Sequence, residues 1–557
     1  MHLLKWLIVR YFFLLSLFLF LISCGKTDEY QVQGDALFQV LDTKQTGVDF
    51  TNLVTDGEDF NVLSYRNFYN GAGVAITDLN DDNQPDLFFT ANQGPNRLFL
   101  NQGDLKFTEV ADAGGAAGTM AWSTGVTAID INADGLQDLY VCNSGEVDGS
   151  RRANELFINQ GNDANGRPQF QEMAAAYGLN DDGYGTQAAW LDYDKDGDLD
   201  VYLLNNSYLS PDRINPDGSN RSIRDHQGGD KLLRNDSGPN GHPIFVDASE
   251  EAGIYGSRIG FGLGSGLGDV NGDGWTDIYI SNDFWERDYL YINNQDGTFR
   301  EELKERIDHL SISSMGSDVA DLDNDGDLEI FSTDMLASDN FRLKAATLFD
   351  NYTTEGIKYQ ADYHHQILQN CLQVNDGSGD FQEVAHYSGV SATDWSWGAL
   401  IFDLDNDGLK DIFVANGIYH DIMNLDFADF IGDKEQVRKV VEEKGRYDWR
   451  DFVQFLPPNP QPNYAFLNRG DLAFTSAAVE LGLGEPSFSN GAAYGDLDGD
   501  GDLDLVVNNV NQPVSIFQNK SSERGKNYLR VRLKGPTKNR VGIGARIEIV
   551  TDKGMQV

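Results

Sequence analysis

A nine-residue acidic pattern recurs seven times along this chain of 557 residues. Oxygen-bearing side chains stand at positions one, three, five and nine, and glycine stands at position six of every copy except the first. Alternate side chains of a tight loop point toward one centre, and glycine adopts a backbone conformation that other residues resist, so each copy suits a hard cation such as Ca2+. A backbone carbonyl at position seven would complete the coordination shell of the cation. The predicted ligands are Asp78, Asn80, Asp82 and Asp86 in loop one, Asp130, Asn132, Asp134 and Asp138 in loop two, Asp192, Asp194, Asp196 and Asp200 in loop three, Asp269, Asn271, Asp273 and Asp277 in loop four, Asp321, Asp323, Asp325 and Glu329 in loop five, Asp403, Asp405, Asp407 and Asp411 in loop six, and Asp496, Asp498, Asp500 and Asp504 in loop seven.

Repetition favours cation binding over the simpler interpretation of each loop as a polar turn. Without a cation, three or four carboxylates crowded into one loop would repel one another. The whole chain has 88 Asp and Glu residues and 42 Lys and Arg residues, which gives a net charge of −46. The predicted ligands include 25 of these acids and so explain about half of the net charge. We expect up to seven Ca2+ ions; loop one departs furthest from the pattern, with Asn83 in place of glycine and Pro85 beside it. The acidic balance argues against nucleic acid as a partner.

The segments around the loops predict β-strands. A glycine-rich apolar segment precedes loop one at residues 71–76, and a β-rich run follows it at residues 86–90. Two more strand-like runs, at residues 97–100 and 107–110, complete the unit. Each loop therefore joins two antiparallel strands, which excludes EF-hands, whose loops lie between helices. Four strands repeated seven times predict an all-β fold, a seven-bladed β-propeller over residues 37–520.

The last unit lacks a fourth strand. Strands a, b and c of unit seven are predicted at residues 491–494, 504–507 and 514–517, and nothing resembling strand d follows them. An open blade edge would expose unpaired backbone groups. The unclaimed strand at residues 37–41 is therefore predicted to pair with residues 514–517, with Phe38 near Ile516.

The two faces of this propeller should differ. All metal loops connect strand a to strand b, so they lie on one face, whereas large insertions connect strand b to strand c and lie on the other. The insertions span residues 207–230, 334–365 and 417–463, and the last contains a predicted helix at residues 435–444. Long loops on a rigid scaffold commonly carry recognition. Aromatic residues of the last insertion are either stacking platforms for a ligand or a cover for the blade edge: Tyr419, Trp449, Phe452 and Phe455.

The chain begins with a targeting segment. An apolar run at residues 11–21 ends in Leu21–Gly25, which resembles the lipobox of bacterial lipoproteins. The resemblance implies a signal peptide over residues 1–23, acylation of Cys24 and a tether over residues 24–36. It also implies residence in the outer membrane, facing outward. An ordinary signal peptide with an incidental cysteine is the alternative.

The repeats resemble the FG-GAP (VCBS-type) repeats of integrin α propellers. Residues 67–75 and 332–336 resemble the cartilage-acidic-protein group of bacterial homologues. Residues 527–533 and 542–547 resemble the opening of the ASPIC/UnbV domain, a β-rich domain that follows such propellers. The resemblance implies that residues 521–557 are part of that domain.

Two functions follow as hypotheses. The favoured one is a lipid-anchored surface module for binding or adhesion, which recognises a polysaccharide or a protein at the insertion face. The alternative is a polysaccharide lyase or hydrolase, which a cleft with a clustered base and arginine would favour. No catalytic residue is predicted, but candidates for such a cleft exist in the first insertion: Arg213, Arg221, Arg224 and His226. Cys142 and Cys371 are expected to be buried thiols, with a disulfide as the alternative.

Overall fold

Seven four-stranded antiparallel sheets surround a central axis. The computed structural model describes residues 36–145, 149–209, 213–237, 242–347, 349, 351–448, 450–551 and 554–557. Strands run a to d from the axis outward in every blade, which confirms the predicted seven-bladed propeller. The signal peptide, Cys24 and nearly all of the tether lie outside the described residues.

The strands of blades one to six follow the chain in order. Blade one is Val74–Thr77, Asp86–Phe89, Arg97–Asn101 and Phe107–Val110; blade two is Ser123–Ile129, Asp138–Asn143, Glu155–Asn162 and Pro168–Glu172; blade three is Gly185–Leu191, Asp200–Asn205, Lys231–Ser237 and Pro243–Asp247; blade four is Gly262–Gly268, Asp277–Asn282, Tyr289–Asn293 and Phe299–Glu301; blade five is Ser317–Ala320, Glu329–Ser332, Cys371–Asn375 and Phe381–Glu383; blade six is Ser396–Phe402, Asp411–Asn416, Tyr464–Asn468 and Phe474–Ser476.

Blade seven is closed by the N-terminal strand. Its strands a to c are Ser489–Gly495, Asp504–Asn509 and Ser515–Asn519, and strand d is Phe38–Leu41. The predicted pairing of these strands is confirmed, but the predicted register was wrong. Leu41 lies opposite Ile516, whereas Phe38 lies opposite Asn519. The strand is displaced toward the metal-loop face because Phe38 is buried in an apolar core that also contains Phe517.

Close packing at the axis depends on small residues. The residue five positions before each metal loop is glycine in six blades and Gln187 in blade three. A side chain on Gly316 would overlap the carbonyl of Trp397 in blade six, and one on Gly491 would overlap the backbone of blade one at Ala72. Glycine here therefore lets the innermost strands of adjacent blades approach each other.

Short helices and ladders occupy the connections. The predicted helix in the last insertion is confirmed and is capped by the side chain of Asp433. The α-helices are Thr43–Thr46, Ala174–Tyr177, Leu303–Arg306, Asn340–Ala346, Tyr352–Gln360, Ala385–Ser388, Leu425–Gly432, Lys434–Lys444, Arg450–Val453 and Ala478–Leu481; the 3-10 helices are Arg66–Tyr69, Ala111–Gly115, Gly149–Arg151 and Ser522–Arg524. Two-stranded ladders join Leu310–Ser311 to Gln366–Ile367, Gln461–Pro462 to Pro486–Ser487 and Ile549–Thr551 to Gly554–Gln556.

Cys142 and Cys371 are free, buried thiols, so the disulfide alternative is excluded. Within the part of the chain that the structure describes, none of the helices has the length and apolar character needed to cross a membrane.

Candidate functional site

The seven metal loops lie together on one face, at the a-to-b connection of each blade. In four of them, three carboxylates each supply an oxygen atom, and these atoms lie within 4.8 Å of one another. The clusters are Asp192, Asp194 and Asp200; Asp321, Asp323 and Asp325; Asp403, Asp405 and Asp411; and Asp496, Asp498 and Asp500. In the other three loops, asparagine supplies a neutral oxygen at position three: Asn80, Asn132 and Asn271.

Backbone hydrogen bonds shape each loop around its centre, as loop four illustrates. The Asp269 carboxylate accepts the N–H groups of Asp273 at 2.9 Å and Gly274 at 2.7 Å. The Asp273 carboxylate accepts the N–H of Trp275 at 2.9 Å. Gly274 has φ of 86°, and Asn83 in loop one has φ of 67°. Asparagine tolerates this left-handed conformation better than most residues, so loop one keeps the turn despite its departure from the pattern.

Several carboxylate oxygens in these loops lack a partner within the protein. Among the described residues, neither oxygen of the buried Asp321 has a hydrogen-bond partner, and one oxygen each of Asp192, Asp405 and Glu329 is also unpartnered. Burial, together with the charge of the neighbouring Asp325, raises the pKa of Asp323 to about 6. A cation would satisfy these oxygens and relieve the repulsion between them. The donor set contains only oxygen, which fits Ca2+.

The acid at position nine has a second role. Burial raises its pKa in every loop, to about 7 for Asp86, Asp138 and Asp277 and to about 8 for Asp200, Glu329, Asp411 and Asp504. In loop six, Asp411 accepts one N–H from Leu404 within the loop and one from Asn468 in strand c, each at 2.8 Å. The position-nine carboxylate therefore joins the loop to its own blade. Among the four carboxylate clusters described above, the position-nine acid is a member in loops three and six, as Asp200 and Asp411.

An asparagine at the end of strand c was not singled out from the sequence. The Asn468 side chain donates a 2.7 Å hydrogen bond to the carbonyl of Leu322, which is position two of the preceding blade's metal loop. Equivalent bonds to the preceding blade are formed by Asn101, Asn159, Asn293, Asn375 and Asn519. Asn235 occupies the same position in blade three. The signal was visible as an asparagine that recurs in all seven units.

The opposite, insertion face carries a groove of about 530 Å3 beside blade five. The groove lies between the helix Tyr352–Gln360 and the ladder of Leu310–Ser311 and Gln366–Ile367. We call it the blade-five groove. Two aromatic side chains line it and face solvent, with Tyr352 93% exposed and Phe349 67% exposed.

Hydrogen-bonding groups lie beside these rings. His365 Nδ1 lies 2.9 Å from Glu355 Oε1, and its ring stacks on Tyr359 at 4.3 Å. His309 also lines the groove and lies 3.4 Å from Glu383. The groove thus combines flat apolar surfaces with groups that donate and accept hydrogen bonds.

The arginines proposed for an enzymatic cleft are largely structural. Arg221 pairs with Glu286 and Asp362, each at 2.7 Å, and Arg224 donates to a backbone carbonyl. Arg213 and His226 are exposed.

The aromatic residues proposed as stacking platforms divide into two groups. Phe452 is only 1% exposed, which excludes it as a platform and leaves the alternative of a cover for the blade edge, whereas Phe455 is 49% exposed. Tyr419 is half-buried and packs against Tyr69 and Phe488. Trp449 lies outside the described residues.

A family model described as FG-GAP-like repeat matches residues 78–141, 269–332, 367–414 and 449–507. These segments contain metal loops one, two, four, five, six and seven. The matched segments are FG-GAP-like repeats. The resemblance predicted from the sequence is thereby confirmed.

Curated relatives include cartilage acidic protein 1 from three animals. The chain is 28% identical to the Xenopus tropicalis protein over 39% of this chain and 30% of the relative. It is 28% identical to the Mus musculus protein over 38% of this chain and 28% of the relative, and 24% identical to the Homo sapiens protein over 62% and 56%. The chain therefore spans about half of the human relative and less than a third of the other two.

Similar solved structures include an Agrocybe aegerita lectin that recognises non-reducing terminal N-acetylglucosamine. It is 16% identical, with a TM-score of 0.28 and coverage of 82% of both chains. The Dos1 propeller is 8% identical, with a TM-score of 0.38 and coverage of 80% of this chain and 78% of the other. The repeats and the cartilage acidic protein relatives suggest a binding or adhesion module.

Proposed function

We propose that this protein is a calcium-stabilised, lipid-anchored surface module that binds a neutral polysaccharide in the blade-five groove. The observation that carries the proposal is the exposure of Tyr352 and Phe349 beside histidine and carboxylate groups. Aromatic rings offer flat apolar faces to a sugar ring, and the polar groups beside them suit its hydroxyls. The volume of about 530 Å3 falls in the usual range of small-ligand sites.

Charge supports a neutral ligand. The chain has a net charge of −46, and an anionic polysaccharide would approach against this field. Asp308 and Glu355 line the groove itself and add negative charge there. A neutral sugar avoids this repulsion and still finds acceptors for its hydroxyl groups.

The histidine–glutamate pairs favour a second candidate, a polysaccharide-active enzyme. His365 with Glu355 and His309 with Glu383 have the arrangement of a general base held by a carboxylate. However, the residues that line the groove in the described part of the chain include no arginine to neutralise a developing negative charge. We therefore favour binding over catalysis, because binding does not require a positively charged group in the groove.

The anchor and the calcium ions complete the proposal. Phe38–Leu41 begins beside Asn519 at the metal-loop end of blade seven, so the described chain enters the propeller on that side. Acylation of Cys24 would hold the propeller at a membrane surface. Calcium in the metal loops would stabilise the blades that support the groove.

Binding to a panel of neutral oligosaccharides tests this function. Tyr352→Ala is expected to weaken binding of a recognised oligosaccharide by about 2- to 12-fold, the range for losing one aromatic contact. Tyr387→Ala is the matched control, because this tyrosine is 80% exposed but does not line the groove. Equal losses for both variants, or no neutral glycan bound, would contradict the proposal. Release of shortened oligosaccharides over time would establish the enzyme instead.

A further inference from the structure

The segment that follows blade seven lies along the metal-loop face. It carries nine Lys and Arg and three Asp and Glu over residues 521–557, although the whole chain has 42 and 88. We call residues 526–556 the basic strap. Little regular structure holds it, since its described residues after 525 contain one two-stranded hairpin. A basic segment on the most acidic face of the protein is complementary in charge.

Contacts between the strap and the loops are polar and spread over several blades. Lys538 Nζ lies 2.6 Å from Asp198 in loop three, and Lys526 Nζ lies 3.9 Å from Asp405 in loop six. Arg546 donates to the Gly326 carbonyl of loop five at 2.7 Å, and Gln556 donates to the Gly408 carbonyl of loop six at 2.6 Å.

Apolar packing of the strap is local: Ile543 packs against the core of blades two and three. Val531 is 46% exposed and Leu529 is 68% exposed, so these side chains do not form a core with the blades. A groove of about 750 Å3 separates residues 532–541 from loop two. Outside Ile543, charge and hydrogen bonds supply the contacts of the strap, and such contacts are readily exchanged for other ions.

The strap reaches predicted metal ligands in loops six and seven, and its shorter ion pair with such a ligand is in loop seven. Arg530 forms an ion pair with Asp496, one of the three carboxylates clustered within 4.8 Å in this loop. Tyr528 lies over Gly501 of the same loop. Lys538, in contrast, pairs with Asp198 at position seven of loop three, where the backbone carbonyl and not the side chain is the expected ligand.

We propose that a cation in loop seven and the docked strap compete, so that calcium loading displaces Arg530 and loosens the strap from the metal-loop face. A divalent ion among Asp496, Asp498 and Asp500 would lie within a few ångströms of the guanidinium, where like charges repel. The coupling is reciprocal: a docked strap weakens calcium binding at loop seven by the same factor by which calcium weakens docking. This inference rests on the proposed binding of calcium.

The expected size follows from the exposure of the ion pair. Arg530 is 62% exposed in its side chain, and ion pairs of this kind change an equilibrium by about 1.5- to 5-fold. Arg530→Gln should therefore raise the apparent calcium affinity of loop seven by that factor. Lys538→Gln is the matched control: it removes a strap contact of similar type without touching a predicted ligand.

Hydrogen exchange of the full chain, followed by mass spectrometry during titration with calcium chloride at constant ionic strength, tests the coupling. Calcium should protect residues 496–504 and speed exchange in residues 526–540. Both variants should speed strap exchange without calcium, but Arg530→Gln should move the loop-seven midpoint to lower calcium further than Lys538→Gln does, because it also removes the positive charge beside the site. Protection of the loops with unchanged strap exchange, or an unmoved midpoint in Arg530→Gln, would overturn the coupling and leave calcium binding intact. Absence of protection in every loop would overturn calcium binding itself, and the coupling with it.

Discussion

Replacing Asp230 with asparagine is expected to change how the stability of the protein depends on pH. Asp230 is buried at the start of strand c in blade three, and its carboxylate accepts the Asn205 N–H and the Tyr202 hydroxyl, each at 2.9 Å. Burial raises its pKa to about 7, against about 3.9 in an unfolded chain. The folded state therefore binds this proton more tightly. The resulting stabilisation is complete below pH of about 4 and is lost as pH rises through about 7.

The magnitude follows from that difference in pKa. Each pKa unit corresponds to about 1.4 kcal/mol, so the loss approaches about 4 kcal/mol in total and about 2.5 kcal/mol between pH 5 and pH 8. Asparagine does not ionise and escapes this loss. Blade two shows that it fits, because Asn154 accepts the Asn143 N–H at 2.8 Å and donates to the Tyr140 hydroxyl at 3.0 Å.

The free energy of unfolding in urea, measured at pH 5 and pH 8 with calcium held constant, checks this reasoning. Asp230→Asn should gain about 2–3 kcal/mol relative to the unsubstituted protein on going from pH 5 to pH 8. Contributions from other groups cancel in the comparison. The reciprocal substitution Asn154→Asp should introduce a loss of the same sign as that of Asp230. If Asp230→Asn differs from the unsubstituted protein equally at both pH values, the argument from burial is refuted.

Four further outcomes are expected. Excess chelator should lower the melting temperature by many degrees, because a single calcium site saturated 100-fold contributes about 2.7 kcal/mol to the free energy of unfolding. Asp498→Ala alone should also lower the melting temperature, and an unchanged melting temperature with excess chelator would exclude structural calcium. Asn468→Ala should cost about 1–3 kcal/mol of unfolding free energy by leaving the Leu322 carbonyl unpaired, whereas the exposed Asn165→Ala should cost little. Phe38→Ala should cost about 3–5 kcal/mol and deletion of residues 30–45 far more, with Leu53→Ala, 65% exposed, as the control; a normal melt of the deletion would disprove ring closure. Cys24→Ser should move the protein out of the membrane fraction, and continued membrane association would disprove the anchor.

The propeller was predictable because its signal is repeated. A single loop such as residues 78–86 has several explanations, but seven copies in the same place relative to strand-like runs leave one architecture. Closure by the N-terminal strand was predictable for a related reason: blade seven lacked a strand and the chain before blade one had one to spare. The register of this strand could not be predicted in the same way. It depends on the burial of Phe38 in the apolar core beside Phe517, and no local sequence pattern shows where that core lies.

The burial and contacts of residues on the insertion face could not be predicted from repetition. Each insertion occurs once, so its residues have no counterparts against which to compare them. Phe452 and Phe455 are three residues apart and of the same type, yet one is 1% exposed and the other 49%. The difference depends on how the last insertion folds against its blades. The blade-five groove could not be predicted for the same reason. Phe349, Tyr352 and His365 lie in one insertion that has no counterpart, and His309 comes from the connection between blades four and five.

The asparagines at the end of strand c connect the metal loops of neighbouring blades. Asn468 receives its position from Asp411, whose carboxylate accepts its N–H, and its side chain holds the Leu322 carbonyl of the preceding loop. A cation that orders one metal loop therefore also fixes the acceptor that the next blade needs. Because an equivalent bond joins six of the blades to the preceding metal loop, and Asn101 closes the ring onto Leu497 of loop seven, disorder in one loop should loosen the contact between two blades. On the opposite face, Arg342 of the blade-five insertion pairs with Asp394 and Asp421 beside blade six, so a ligand site there should depend on cations that never touch it.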